Sequence, residues 1–378
     1  HASFRKRKWI ETLLMASDDQ LAVIRADIDS IDRQLLELIN ARAACARRVA
    51  EIKLAASQGG DALFYRPERE AQILRAIQEN NPGPLPADQA ARILREIMSS
   101  CLALERPLTV GFLGPVGTYS QAAALKHFGQ SAILEPKSTI RDVFRLVEDR
   151  ACDMAVVPVE NSTEGMVGQT LDCFLESPLQ IIGEVELPVV HHLLAASSQS
   201  LDDITVVCGH EQALGQCRDW LDANLPGVPR DVCRSNGEAA QRAKNEENVA
   251  AIAGDLAVEK YDLAKLSEAI QDIAHNTTRF YVIGRETVPA SGADKTSILI
   301  ASRNRPGALL NLLRPFEERG ISLTRIDSRP SKTEKWTYMF FIEFEGHLSD
   351  DLVKGVMSAL EENSILLKPL GSYPKAPI

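Results

Sequence analysis

Aromatic residues make up only 5% of the 378-residue chain. No apolar run approaches the roughly 20 residues that a membrane-spanning helix needs, so no membrane partner is expected. The seven cysteines (45, 101, 152, 173, 208, 217 and 233) form no CxxC pair. They sit mostly in apolar company, as reduced packing thiols do, which excludes a small disulfide scaffold and suits a cytoplasmic enzyme. Basic residues are outnumbered, 42 to 52, for a net charge of −10. A chain this acidic is a poor candidate for binding nucleic acid or an anionic membrane. What is present, 45% hydrophobic and 25% charged residues, excludes intrinsic disorder and collagen. The length is too great for one ordinary core and implies two to four domains.

The acidity is local. Residues 107–288 hold 14 basic and 26 acidic residues, whereas 16–106 hold 12 and 14 and 289–378 hold 12 and 11. Residues 1–15 hold four basic and one acidic. They match nothing downstream in pattern, and Met15 is a plausible native start, so they are read as an extension outside the fold. The remaining boundaries follow from changes of period: a helical domain over 16–106, an α/β domain over 107–288 and a smaller α/β domain over 289–378.

Leu21, Ile24, Ile28, Ile31, Leu35, Leu38, position 42, Cys45, Val49 and Ile52 recur at spacings of three and four. This predicts one helix over 18–56 with a coiled-coil-like stripe of about five heptads, long enough that dimerisation along it is expected. Pro67 opens a second helix that ends near Asn80, and a third runs from about Ala87 to Glu105. From Thr109 short β-rich runs alternate with helical patterns, an α/β arrangement expected to form two lobes around a cleft. Residues 288–293 read as a linker. Residues 295–372 follow a strand–helix–strand–strand–helix–strand order, the ferredoxin-like βαββαβ pattern.

Arg42 occupies a place in the apolar stripe of the first helix, where a guanidinium needs an anionic partner, either a structural carboxylate or a ligand. Lys53 follows 11 residues later on the same face, at a rise of roughly 16 Å. Arg25 lies 17 residues before Arg42, roughly 25 Å away, and would reach such a site only from an antiparallel partner helix.

Arg25, Arg42, Lys53, the Arg69-Glu70 pair and Glu105 resemble, in order and spacing, the all-helical chorismate mutases over roughly 18–106. The resemblance implies an intertwined dimer that rearranges chorismate to prephenate by holding a compact dianion in its reactive shape. It gives Arg25, Arg42 and Arg69 to the carboxylates, Lys53 to the ether oxygen and Glu70 to the substrate hydroxyl. Arg66 stands where a relative can carry an acidic residue, and Glu105 where others carry glutamine. An ionised Glu105 would repel the ether oxygen and a protonated one would donate to it, so a raised pKa is expected.

The glycines of Gly111–Ser120 are spaced GxxGxxG and do not meet the dinucleotide fingerprint GxGxxG. The Pro158–Thr163 turn puts polar groups straight after a buried strand, where open α/β sheets bind ligands. With Gln212-Ala213-Leu214, Ser235–Ala240 and the Thr278-Arg279-Phe280 triplet, these segments resemble the prephenate dehydratase motifs over roughly 108–286. Val116 and Glu211 depart from that pattern. The implied two-lobed, periplasmic-binding-protein-like domain removes water and carbon dioxide from prephenate to give phenylpyruvate. Thr278 is the candidate proton donor. Ser120, Asn161, Ser162, Gln212 and Arg279 would hold the carboxylates and hydroxyl, with Phe280 beside them.

Gly307-Ala308-Leu309-Leu310 and Asp327-Ser328-Arg329-Pro330 open a helix and end a strand. They resemble the effector-binding motifs of ACT regulatory domains, with Asp327 in place of glutamate. Phenylalanine is then the expected effector, bound between two such domains. The three resemblances occur in the order of the bifunctional chorismate mutase–prephenate dehydratase family. A mutase fused to a prephenate dehydrogenase would need a nicotinamide fingerprint, and a non-catalytic amino-acid sensor would not need the triplet. No cofactor is expected. No metal is expected either, since no carboxylate or cysteine has the spacing to join His191, His192 and His210 as ligands.

Overall fold

The computed structural model describes residues 2–56, 64–302, 305–330 and 338–376, with side chains from residue 20 onward except that of Pro330. The chain divides into two compact units, His1–Phe64 with Cys101–Arg106, and Tyr65–Ser100 with Pro107–Ile378.

The first unit is built on α1 (Ala2–Ala56). This helix takes in most of the segment read as an extension and carries the expected stripe without a break. Ile24, Ile28, Ile31, Leu35, Leu38 and Ile52 are all exposed on it. Helix α2 (Pro67–Asn80) starts at Pro67, whose fixed φ suits the first helical position. It belongs to the second unit, as does α3 (Ala87–Glu105) up to Ser100. Leu74, Ala91 and Met98 pack α2 against α3.

The first lobe of the α/β region contains β1 (Thr109–Leu113), α4 (Tyr119–Phe128), β2 (Ile133–Lys137), α5 (Ile140–Glu148), β3 (Met154–Asn161), β4 (Gly165–Met166), α6 (Gly168–Glu176) and β5 (Gln180–Pro188). The second lobe contains β6 (His192–Ala195), β7 (Val206–His210), α7 (Glu211–Gln216), α8 (Arg218–Asn224), β8 (Arg230–Cys233), α9 (Asn236–Asn245), β9 (Val249–Ala253), α10 (Asp255–Tyr261) and β10 (Ala264–Ser267). The chain then returns to the first lobe as β11 (Thr277–Gly284). Among the described residues the first sheet has the order β2-β1-β3-β11-β5, with β4 beside β3, and the second β10-β6-β9-β7-β8. Two lobes crossed twice by the chain form the expected periplasmic-binding-protein-like layout.

Strands β2, β4, β6, β8 and β10 lack a β-rich run in the sequence: β4, β6, β8 and β10 are only two to four residues long, and β2 is a mostly exposed edge that carries charge and Pro136. The helical stretch 211–224 breaks at Cys217 into α7 and α8. There the Asp272 carboxylate accepts from the amides of Asp219 and Trp220 and starts a second helix.

The last region comprises β12 (Asp294–Ser302), α11 (Ala308–Glu317), β13 (Leu323–Pro330), β14 (Tyr338–Glu345), α12 (Asp351–Asn363) and β15 (Leu366–Pro374). Its sheet order, β13-β14-β12-β15, is ferredoxin-like. Ile298, Phe316, Phe344, Val356 and Leu360 fill the space between sheet and helices. The other face of this sheet shares a core with the first lobe, in which Phe144, Phe174 and Tyr281 meet Phe341, Leu370 and Tyr373. The segment expected as a linker is an ordered turn. Ser291 donates to Asp294, and Arg75 of α2 donates to the carbonyls of Ser291 and Ala293.

Gly371 shows how closely the small domain approaches the first lobe. Its φ is +140°, and a Cβ built there would stand 2.2 Å from the carbonyl oxygen of Ile181. Backbone meets backbone, so no rotamer change relieves the clash. Gly371→Ala is expected to destabilise the second unit by about 1–3 kcal/mol, measured by chemical denaturation.

Candidate functional site

Strand β3 is an almost wholly buried Met-Ala-Val-Val run that delivers Glu160 and Asn161 to its end. Strand β11 pairs with it antiparallel and sets Thr278 opposite Asn161. The Asn161 Nδ2 donates to Thr278 Oγ1 at 2.9 Å and to Asn276 Oδ1 at 2.8 Å. Its Oδ1 accepts from the Thr163 amide, the Thr163 hydroxyl and the Glu164 amide at 3.0, 2.6 and 3.2 Å. The polar valences of Asn161 are therefore spent within the protein. Thr278 is half-buried and acts as acceptor towards Asn161, which leaves its own proton to be donated.

Residues that sequence reasoning did not assign complete the cluster. Gln216, on α7 of the second lobe, donates to Thr163 Oγ1 at 3.1 Å and accepts from Asn276 Nδ2 at 2.9 Å. His191 Nε2 lies 2.9 Å from the same Gln216 oxygen, and Tyr119 OH lies 3.0 Å from His191 Nδ1. Burial lowers the pKa of His191 and favours the neutral ring. His191 and Asn276 sit on the two crossings between lobes, so the network spans the hinge. The usable signal was position: polar residues next to segments that join two sheets.

Among the other expected residues, Ser162 Oγ accepts from the Thr277 amide at 3.0 Å and lies 3.5 Å from Asn276 Oδ1. Ser120 is buried in the first turn of α4, where Thr118 is the N-cap. Gln212 is half-buried in the first turn of α7. Gly237 lets the start of α9 lie against the opposite lobe, because a Cβ there would meet the Val116 carbonyl at 2.6 Å. Phe280 is 1% exposed and belongs to the core.

Arg279 is not brought to this cluster. Successive side chains of a strand face opposite ways, so Thr278 and Arg279 point apart. The buried Arg279 guanidinium donates from Nη1 to both carboxylate oxygens of Glu343 on β14, at 2.8 and 2.9 Å. It also contacts Glu184 at 3.3 Å and, through Nε, Glu160 at 3.4 Å.

In the first unit, Lys53 Nζ donates to the Phe64 carbonyl at 3.2 Å and stands 3.9 Å from Glu105 Oε2. Burial raises the Glu105 pKa, while Lys53 and Arg42 pull it down. Arg42 is half-buried and Arg25 exposed on α1. In the second unit, Arg69 is exposed, and Glu70 lies 3.4 Å from the buried Arg95, a partner the sequence reading did not name. Arg95 also donates to the Lys126 carbonyl.

In the small domain, Gly307 takes a left-handed conformation (φ +77°) and caps α11, with Leu309 and Leu310 exposed and Ala308 half-buried. Asp327 accepts from Arg325 Nε at 2.6 Å, and Arg325 also pairs with Glu160. Arg329 donates to the Gly168 carbonyl and to Asp172, both in the first lobe. Ser328 is exposed, and the Pro330 side chain lies outside the described residues.

Burial pushes the Glu70 carboxyl up to about 7 against the opposing effect of Arg95. A protonated-carboxyl infrared band with a midpoint near 7 is expected, absent in Glu70→Gln and shifted to higher pH in Arg95→Met.

Comparison with known proteins agrees with these three regions. Family models match for Chorismate mutase type II over residues 24–106, Prephenate dehydratase over 110–288 and the ACT domain over 296–362. The chain is 54% identical to a bifunctional chorismate mutase/prephenate dehydratase of Pseudomonas aeruginosa, over 96% of this chain and 100% of that one. It is 47% identical to one of Neisseria gonorrhoeae, over 95% and 98%. A solved prephenate dehydratase from Arthrobacter aurescens, in complex with L-Phe, is 33% identical with a TM-score of 0.66, covering 71% of this chain and 90% of that one. Identity on this scale along nearly the whole length means that the chain belongs to the bifunctional chorismate mutase/prephenate dehydratase family.

Proposed function

We propose that the chain converts chorismate to prephenate in its helical region and prephenate to phenylpyruvate between its two lobes. The observation that carries the second activity is the Asn161–Thr278 pair. An amide donor fixes the threonine oxygen and leaves the hydroxyl proton to be delivered to the departing ring hydroxyl. Aromatisation drives the loss of water and carbon dioxide, so a positioned weak donor suffices. Asn161, Gln216 and Asn276 hold the geometry. Ser120, Ser162, Gln212 and the amides that open α4 are the groups available to the substrate's carboxylates and hydroxyl.

For the first activity, Arg42 and Lys53 supply cations beside Glu105. The substrate is a dianion, so Arg25 and Arg42 are assigned to its carboxylates. Arg25 is too far along α1 to serve the site of its own Arg42. The exposed apolar stripe of α1 supports a homodimer in which a second copy supplies it. Phenylalanine is the proposed effector, bound at Gly307–Leu310 and Asp327–Pro330. The free cysteines support a cytoplasmic setting.

Supplied with chorismate and no nucleotide, the chain is expected to form phenylpyruvate. Thr278→Val is expected to lower dehydratase kcat by about a hundredfold or more while prephenate still accumulates. Near-normal phenylpyruvate formation by that variant would remove Thr278 from the role.

Protonated Glu105 donates to the ether oxygen, and ionised Glu105 repels it. Since burial raises its pKa, mutase kcat should be full below that value and fall as pH rises through it. Glu105→Gln, a donor at every pH, should flatten the profile; an unchanged slope would count against the assignment.

A further inference from the structure

We infer that Arg279 is a positioning residue for the Thr278–Asn161 pair and that Glu343, supplied by the small regulatory domain, holds it in that role. The inference rests on the dehydratase reading and extends it: the catalytic pair is incomplete without charges from the neighbouring domain.

The ladder between β3 and β11 places Thr278 opposite Asn161 and Arg279 opposite Glu160. Immediately beyond, the register shifts, so that Phe280 faces Pro158 and Val159 is the extra residue of a bulge. A bulge interrupts the ladder and leaves local strand direction under-determined by backbone pairing alone. At this point the side chains on the opposite face supply the constraint. Arg279 and Glu160 sit across from one another at 3.4 Å, each one peptide from a member of the catalytic pair.

Neither residue is held from within its own lobe alone. The carboxylate of Glu343 receives two hydrogen bonds from Arg279, one from Thr324 at 2.7 Å, and one each from the hydroxyls of Tyr281 and Tyr373 at 2.8 and 3.0 Å. Lys295 bridges Glu184 and Glu343 at 3.0 and 3.5 Å. Arg325 pairs with Glu160. Glu343 and Glu184 are both almost fully buried. Burial alone would raise the Glu343 pKa, yet Arg279, Lys295 and Thr324 hold its carboxyl at about 2. The carboxylate is thus charged at every working pH, and Arg279 keeps its counter-ion throughout.

This arrangement distinguishes positioning from substrate binding. An arginine that held a substrate carboxylate would, when altered, raise KM. One that sets the direction of β11 would lower kcat and leave prephenate binding near normal.

The test is steady-state dehydratase kinetics on supplied prephenate without phenylalanine, with mutase activity of the same preparation as reference. The chains compared are the unsubstituted one, Glu343→Gln, Glu343→Asp, Tyr373→Phe and Arg279→Lys. For Glu343→Gln and Arg279→Lys, dehydratase kcat should fall by about tenfold to a hundredfold, since a small misplacement of a reacting group is costly. KM should stay within about twofold, and mutase activity should be unchanged. Glu343→Asp should recover part of the loss. Tyr373→Phe, which keeps every charge and removes one hydrogen bond to Glu343, should show a smaller fall of the same kind, and it decides the matter if Glu343→Gln does not fold. Unchanged kcat in Tyr373→Phe and Glu343→Gln would overturn the inference, as would a KM effect with kcat intact. So would parallel loss of both activities in every variant. If the unsubstituted chain makes no phenylpyruvate, the dehydratase reading fails and the inference falls with it.

Discussion

A guanidinium cannot be buried without carboxylates to meet it, and the second unit is organised around one that is. Arg279 lies on a strand of the first lobe, yet its closest hydrogen bonds go to Glu343 on the neighbouring sheet. Removing either partner would leave the other with only its longer contacts in a poorly polarisable interior, Arg279 with Glu184 and Glu160 and Glu343 with Lys295, at a cost in stability. That requirement ties the two domains together more specifically than the shared core of Phe144, Phe174, Phe341 and Tyr373 does, since apolar contacts tolerate sliding and a buried, hydrogen-bonded ion pair does not. The same strand turns Thr278 the other way, towards the hinge between the lobes. One peptide unit separates the residue that ties the domains from the residue proposed to donate a proton.

The surplus of acidic residues over 107–288 takes on a different meaning at this interface. Glu160, Glu184 and Asp172 are part of that surplus, and they meet Arg325, Lys295 and Arg329 from a region with slightly more basic than acidic residues. Part of the imbalance is therefore internal complementarity between domains and gives the substrate no long-range guidance. The dianionic substrates proposed here depend on short-range donors in the hinge and on the cations of α1.

Much of the architecture was legible because it is written in period. The stripe of α1, the order of β3, β7, β9 and β11 and the six-element order of the small domain all follow from spacing that burial enforces. The edge strands β2 and β8 were not legible, since an edge strand is selected against looking like a good strand. Thr278, Asn161 and Ser162 were found through their motifs. Gln216 and Asn276 were not, because an amide in a short helix or a turn has no local mark, and only the fold brings these two to the same few ångströms. Arg279 was grouped with Thr278 by adjacency, although strand parity separates them. The spacing rule that found the strands also held that information.

The bulge at Val159 carries a consequence for chain length. Inserting one residue into a strand reverses which face every later residue presents. Strand β3 uses that reversal to fit a tightly packed run and a polar terminus into eight residues, with Asn161 delivered to the hinge and Glu160 to the domain boundary. Pairing the same residues without the bulge would set Val159 opposite Arg279 and Glu160 opposite Thr278, sending the carboxylate towards the hinge and the amide to the other face. Counting, as much as composition, is what this strand must preserve.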